Sequence, residues 1–243
     1  ANLFWRSFTH WIGGMGVFVF ILAILPMIGG STMHLMKAES PGPSVDKFVP
    51  KVKDTAKILY LLYIGITITQ IVCLLLAGMP LFDTLTHTFG TVGTGGFGIK
   101  NSSIGEYTTL QQNIITFFMI ASGVNYSAYF YIISKNFREV FHMEEVRWYF
   151  GIIFVTVTII TLNTMSLYSG VGETLKHAFF QVASIITTTG YSTTNFDLWP
   201  ELSKTVLVLL MVVGACAGST GGGFKVSRIL ILMKTIKKEL SLM

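Results

Sequence analysis

Five long stretches of this sequence contain no Asp, Glu, Lys or Arg residue. They cover residues 11–33, 58–82, 107–134, 148–172 and 205–224. An α-helix needs about 20 consecutive apolar residues to cross the hydrocarbon core of a bilayer, and every stretch is long enough. Charged residues make up only 12% of the chain, whereas hydrophobic residues make up 51%. The pattern therefore predicts an all-α integral membrane protein with several spans, and it excludes a soluble globular domain.

The basic residues predict how the chain is oriented in the membrane. Thirteen of the 17 Lys and Arg residues lie in three segments, at 31–57, 135–147 and 225–238. Basic residues concentrate in the cytoplasmic loops of membrane proteins. We therefore expect these three segments to be cytoplasmic, and segments 79–109 and 169–204 to lie on the outer side. These loops explain the net charge of +5, and we predict no nucleic-acid partner.

A glycine-centred loop occurs twice, each time between two of the charge-free stretches. The first copy reads GTGGFG over residues 93–98, and the second reads TTTGYS over residues 187–192. The dipeptides GF and GY fall in register. Non-helical backbone at membrane depth occurs only where it is buried in protein or lines a water-filled cavity. The repeat therefore favours a functional element; the alternative is a pair of ordinary outer loops with turn glycines.

A short amphipathic segment precedes each loop, at residues 83–92 and 173–186. Neither segment is long enough to cross a bilayer as a helix, so both are predicted to be re-entrant half-helices. The order helix, half-helix, loop, helix thus occurs twice. The predicted organisation is the second helix of a preceding repeat 1 (1–36), a cytoplasmic linker (37–55), repeat 2 (56–136) and repeat 3 (137–243).

The two loops have the composition of a cation filter. Backbone carbonyl and threonine hydroxyl oxygens can replace the water that an ion loses on entering a narrow pore. Glycine permits the unusual backbone angles that such a loop needs, and the C-terminal ends of the half-helices carry partial negative charge. The predicted filter residues are Thr94, Gly95, Gly96, Phe97, Thr188, Thr189, Gly190 and Tyr191.

The first loop also matches the dinucleotide-binding pattern G-x-G-x-x-G. That pattern binds a nucleotide only between a strand and a helix of an α/β unit, and here it lies between predicted membrane helices. A membrane enzyme of this kind would also need an acid–base pair or a metal cluster in the membrane, and the sequence shows neither. We therefore predict that the protein is not an enzyme.

A second glycine cluster, separate from the two loops, lies at residues 214–223 and interrupts the last charge-free stretch. Glycine costs about 1 kcal/mol relative to alanine inside a helix, so three in a row should unwind the helix near the middle of the membrane. One interpretation is close helix packing; the other, which we favour, is a flexible gate below the filter. Lys225 follows directly and either extends to the membrane interface or tunes cation passage. The predicted gate residues are Gly218, Ser219, Thr220, Gly221, Gly222, Gly223 and Lys225.

Together these motifs are similar to those of the TrkH/KtrB family of potassium uptake proteins, and more to its TrkH branch. Residues 4–16 (FWRSFTHWIGGMG) resemble the helix that follows the first filter of that family. Residues 91–98 and 187–194 resemble its second and third filters. Residues 218–225 resemble the loop that breaks the second helix of its third repeat. The resemblance covers essentially the whole chain.

The resemblance implies a pseudo-fourfold pore built from four helix–loop–helix repeats in one chain. It implies that K⁺ is the transported ion, bound by the backbone carbonyls of Gly96 and Gly190, and that no organic cofactor is needed. It also implies a multi-pass protein of the bacterial inner membrane, with extracytoplasmic filter loops and a cytoplasmic C-terminal basic segment. The implied partners are a second copy in a homodimer, a cytosolic ring of nucleotide-binding regulatory subunits of the TrkA/KtrA kind, and membrane lipid.

The family pattern has a first filter before Ala1 and a fourth repeat after Met243. We therefore expect this chain to be an internal part of a longer protein, from the end of repeat 1 through repeat 3. The expected function is potassium uptake through the filter and past the glycine gate. Two alternatives stay open: a sodium or poorly selective transporter of the same fold, and a non-conducting membrane subunit.

Overall fold

The structure is a computed structural model that describes residues 2–14, 16 and 52–242. This part of the chain contains no β-strand, only one isolated bridge between Val213 and Phe224. Its helices are α1 (Asn2–Gly14), α2 (Val52–Leu76), α3 (Leu81–Val92), α4 (Thr109–Gly123), α5 (Tyr126–Ile133), α6 (Phe137–His142), α7 (Glu144–Thr164), α8 (Val171–Ile186), α9 (Glu201–Val212) and α10 (Val226–Leu242), with 3₁₀ turns at Met165–Leu167 and Phe196–Leu198. The predicted extension of the first helix beyond α1 and most of the predicted linker lie outside the described residues.

Two of the described helical segments are long and apolar enough to cross a membrane. They cover Lys57–Leu76 in α2 and Glu144–Leu167, which begins with α7. Large apolar side chains on both segments face outwards; for example, Leu76 is 84% exposed and Phe154 is 74% exposed. Such a surface is unfavourable in water but matches the hydrocarbon core of a bilayer. The two segments therefore have the apolar outer faces of membrane-spanning helices.

The half-helices α3 and α8 lie at the centre of the packing. α3 packs against α1, α2 and α4, and α8 packs against α4, α7 and α9. α8 buries apolar side chains, among them Ala178, Phe180 and Ile186. α3 instead buries threonines; the hydroxyls of Thr86 and Thr91 donate to carbonyls four residues earlier, at 2.5 and 2.7 Å. This burial holds the C-terminal end of each half-helix in place at the start of a glycine-centred loop.

The charge-free stretch 107–134, predicted as the single helix that ends repeat 2, contains two helices, α4 and α5. Asn125 caps α5, because its side chain accepts a hydrogen bond from the N–H of Ser127 at 2.9 Å. The N–H of Tyr126 donates instead to the carbonyl of Gly218, 3.0 Å away in the second glycine cluster. The prediction of one continuous helix was wrong. The break is stabilised by this long-range hydrogen bond, and no proline marks it in the sequence.

The second glycine cluster separates α9 from α10. The chain between them folds back on itself: the N–H of Gly214 donates to the carbonyl of Phe224 (2.9 Å), and the N–H of Phe224 donates to the carbonyl of Val212 (3.3 Å). The two helices are therefore joined by a closed loop and do not form one rod. We refer to residues 213–225 as the inner loop.

Candidate functional site

The two predicted filter loops have the same backbone conformation. The residues that end the half-helices, Gly93 and Thr187, have φ/ψ angles of −78°/−2° and −83°/−2°. The next residues, Thr94 and Thr188, both have positive φ, at 52° and 57°. Positive φ is uncommon for a residue with a side chain. Its occurrence at the same position in both loops therefore makes their backbone conformations specifically similar. The alignment of the two loops in sequence is therefore also an alignment in structure.

The hydrogen bonds that shape the two loops are also the same. The N–H groups of Gly95 and Gly96 both donate to the carbonyl of Gly90, at 2.8 and 3.2 Å. In the second loop the two aligned N–H groups both donate to the carbonyl of Ser184, at 2.9 and 3.2 Å. Because the N–H and C=O of a trans peptide point in opposite directions, the carbonyls of these peptides point away from the half-helix.

These outward carbonyls have no hydrogen-bond donor in the part of the chain that the structure describes. Unpaired carbonyl oxygens are uncommon inside a protein and are the ligands that a dehydrated cation needs. The outward oxygens belong to Thr94, Gly95, Thr188 and Thr189. The carbonyls of Gly96 and Gly190, one peptide further along each loop, likewise have no donor among the described residues.

The aligned glycines of the two loops are both in the left-handed region, where glycine is favoured. The φ angle is 65° at Gly96 and 90° at Gly190. A Cβ atom on Gly96 would overlap the carbonyl oxygen of Thr189, whereas a Cβ atom on Gly190 would meet no described atom within 4 Å. The two loops are therefore in direct contact, with an unpaired oxygen of the second loop beside the first.

The aromatic residues after these glycines pack on protein. Tyr191 is fully buried, and its hydroxyl donates to the carbonyl of His87 at 3.3 Å. Phe97 stacks on His10 with ring centroids 4.9 Å apart, and the guanidinium of Arg6 lies 4.7 Å from the centroid of the Phe97 ring. Both side chains brace the loops through packing, and the unpaired oxygens belong to the backbone that precedes them.

The inner loop lies against both filter loops. The hydroxyl of Thr94 is shared as a donor between the carbonyls of Thr220 (2.9 Å) and Gly93 (2.8 Å), and the N–H of Gly222 donates to the hydroxyl of Thr188 (2.6 Å). The hydroxyl of Ser219 donates to a carbonyl within the inner loop at 2.6 Å. The inner loop is thus bonded to the same position of each filter loop. The structure brings the predicted filter and gate residues into one cluster.

Lys225 is buried in the inner loop. Its side chain is 4% exposed, and its ammonium group donates to the carbonyl of Gly221. The backbone of the inner loop is closely packed here. Gly223 has a φ angle of 74°, and a Cβ atom at this position would lie 2.8 Å from the Cα of Gly214. The Lys225 side chain therefore folds back and binds the glycine run that precedes it in the sequence.

The segment after the first filter loop carries a charged pair. Lys100 and Glu106 form an ion pair at 3.0 Å, and the hydroxyl of Ser102 donates to the other carboxylate oxygen at 2.5 Å. The hydrogen bond from Ser102, followed by the ammonium of Lys100, holds the pKa of the Glu106 carboxyl below its ordinary value. The N–H of Ile104 donates to the carbonyl of Ser192 (3.0 Å), so this segment also braces the second filter loop.

Two buried tyrosines support the site although no motif marks them. The hydroxyl of Tyr63 on α2 donates to the carbonyl of Trp11 on α1 (2.7 Å), and that of Tyr149 on α7 donates to the carbonyl of Ile120 on α4 (3.2 Å). In both cases a glycine of the bonded helix packs against the first residue of a filter loop. Their only sequence signal is that each lies in the first helix of its repeat.

Comparison with known proteins gives consistent matches over the whole chain. A family model described as a cation transport protein, TrkH, matches residues 1–242. The chain is 41% identical to the Trk system potassium uptake protein TrkH of Escherichia coli K12 and 40% identical to that of Salmonella typhimurium, each over 99% of this chain and 51% of the relative. It is also similar to the crystal structure of the potassium transporter TrkH from Vibrio parahaemolyticus, with a TM-score of 0.82 and 33% identity over 99% of this chain and 50% of that one. The chain thus spans about half the length of the curated relatives that it matches.

Proposed function

This chain belongs to the TrkH family of cation transport proteins, which are membrane transporters and not enzymes, and we propose that the protein of which it forms a part takes up potassium. The relatives are named as potassium uptake proteins, which supports K⁺ as the transported ion. In this proposal K⁺ enters from the outer side of the bacterial inner membrane. It passes the two filter loops and then the inner loop, down its electrochemical gradient.

The observation that carries this proposal is the set of unpaired backbone carbonyls in the two aligned loops. A K⁺ ion that sheds water needs oxygen ligands that are already in place. Here the neighbouring N–H groups are fixed to the carbonyls of Gly90 and Ser184, so the oxygens need little rearrangement. The C-terminal ends of α3 and α8 add negative potential at the same point. We place K⁺ at the carbonyls of Gly96 and Gly190.

We propose that the inner loop is the gate. It follows α9, which begins at the end of the segment predicted to be outer, and precedes α10, which leads into the basic segment predicted to be cytoplasmic. An ion that leaves the filter loops therefore meets the inner loop next. Opening requires the inner loop to release its hydrogen bonds to Thr94 and Thr188.

Replacing Thr188 by Val should weaken the closed position of the inner loop. Val is similar in shape to Thr but cannot accept the hydrogen bond from the N–H of Gly222. Loss of one such bond costs about 1 kcal/mol, so we expect a roughly fivefold rise in resting K⁺ flux through the complete protein in liposomes. Thr188→Ser keeps the hydroxyl and is the control. An unchanged flux in the Val variant would show that this bond does not hold the gate.

The transported ion can be tested by expressing the complete protein in a bacterium that lacks its own potassium uptake systems. We expect growth at low external K⁺ and K⁺ uptake that excess Na⁺ does not abolish. Na⁺ uptake at a similar rate would favour the sodium or poorly selective alternative. A protein that reaches the membrane but supports uptake of neither ion would favour the non-conducting alternative.

We further propose the partners that the resemblance implies: a second copy of the protein and a cytosolic ring of nucleotide-binding regulatory subunits. The second half of α10 is exposed and basic, with Lys234, Lys237 and Lys238 on its surface, which supports a cytosolic contact there. The mass of the purified complete protein in detergent, alone and with such a subunit added, tests both contacts.

A further inference from the structure

A single carboxylate oxygen binds two residues that flank the predicted gate residues of the inner loop. Glu145, the second residue of α7, accepts hydrogen bonds through Oε1 from the N–H of Ala217 (2.6 Å) and from the N–H of Ser227 (3.1 Å). Ala217 directly precedes Gly218, and Ser227 follows shortly after Lys225. Every predicted gate residue therefore lies between the two amides that Glu145 binds.

Both amides need this acceptor. Ser227 lies in the first turn of α10, where N–H groups have no partner within the helix. Ala217 is 6% exposed and lies in non-helical backbone, so its N–H is shielded from water. Hydrogen bonds to a carboxylate are roughly twice as strong as neutral ones, and negative charge is favourable at the N-termini of α7 and α10. Loss of the Glu145 carboxylate would leave both amides unpaired.

We propose that Glu145 is a positioning residue that keeps the inner loop closed by holding Ala217 and Ser227, on either side of the predicted gate residues, at one point. The inference rests on the proposed role of the inner loop as the gate. With Ala217 and Ser227 held in place, Thr220 and Gly222 stay bonded to the filter loops. When the Glu145 contacts are lost, Ala217 and Ser227 can move apart, and the gate residues between them can leave the filter.

The neighbouring residue provides a matched control. Glu144 forms an ion pair with Lys234 on α10, and both side chains are well exposed. Exposed ion pairs contribute little to stability, and this pair does not involve the inner loop. Glu144→Ala therefore removes a carboxylate from the same turn of α7 without releasing the inner loop.

Cys216 reports closure of the inner loop independently of ion flux. It directly precedes Ala217, carries a free thiol and is 0% exposed. A thiol reagent reaches a buried cysteine only when the surrounding structure opens. The rate at which a small maleimide modifies Cys216, followed by mass spectrometry of the peptide that contains it, therefore measures opening of this region.

The test uses the complete protein in liposomes, as wild type and as Glu145→Ala, Glu145→Gln and Glu144→Ala variants. We expect Cys216 to be modified about tenfold faster in Glu145→Ala than in wild type, because two buried donors lose their acceptor, and we expect K⁺ flux to rise in the same variant. Glu145→Gln keeps a neutral acceptor and should lie between the two. Glu144→Ala should match wild type.

The outcomes distinguish failure of this inference from failure of the proposed gate function on which it rests. Equal modification of Cys216 in wild type and in both Glu145 variants would overturn the inference, as would an equally large increase in Glu144→Ala. Faster modification without a change in K⁺ flux would keep the role of Glu145 in holding the loop and reject the loop as the gate. If Glu145→Ala does not fold, Glu145→Gln decides by the same two measurements.

Discussion

Replacing Gly96 by Ser should remove most of the preference for K⁺ over Na⁺ that we propose for the complete protein. Gly96 has a φ angle of 65°, and a residue with a side chain pays roughly 1–2 kcal/mol in this region. The new Cβ atom would also overlap the carbonyl oxygen of Thr189, so the strain is relieved by moving an oxygen of the predicted filter. Since about 1.4 kcal/mol corresponds to a factor of ten, we expect selectivity to fall about tenfold.

Two other glycines make this prediction specific. Gly190→Ser introduces similar backbone strain, but its Cβ atom meets no described neighbour within 4 Å, so its effect on selectivity should be smaller. Gly65→Ser adds the same side chain on the exposed face of α2, also without a neighbour within 4 Å, and should have no effect. The measurement is the ratio of K⁺ to Na⁺ uptake by the complete protein. Unchanged selectivity in both filter variants would mean that these loops do not select the ion.

The half-helices are the elements that the sequence predicts best. The segments predicted at 83–92 and 173–186 correspond to Leu81–Val92 and Val171–Ile186. Both end where expected, because the loop that follows needs positive φ and cannot continue a helix. Each half-helix is short and lies between two longer apolar stretches, and both of these properties can be read from the local sequence.

Contacts between distant segments are less predictable. Glu145 reads in the sequence as an acidic residue in the first turn of a helix, which is typical of any helix start. Its two hydrogen-bond partners lie 72 and 82 residues away. The break between α4 and α5 likewise depends on a hydrogen bond from Tyr126 to Gly218. Both features follow from the fold of the inner loop, and a run of glycines does not specify which way that loop turns.

Replacing Gly90 by Ala should disrupt both filter loops at once. The carbonyl of Gly90 accepts the hydrogen bonds that shape the first loop. A Cβ atom at this position would overlap the hydroxyl of Tyr191 in the second loop and would lie 3.3 Å from its Cζ. Overpacking of a buried site costs about 1–3 kcal/mol, and Tyr191 has no free space because it is fully buried. We expect K⁺ uptake to fall strongly while the protein still reaches the membrane.

A second substitution tests whether the clash is the cause. Tyr191→Phe removes the hydroxyl that the new methyl group would overlap, together with its long hydrogen bond to the carbonyl of His87 (3.3 Å). The double variant Gly90→Ala/Tyr191→Phe should therefore recover much of the uptake and thermal stability that Gly90→Ala loses, with a coupling energy of about 1 kcal/mol. Strictly additive effects would show that the two residues act separately. Recovery would show that the half-helix of one repeat and the filter loop of the next are structurally coupled through this contact.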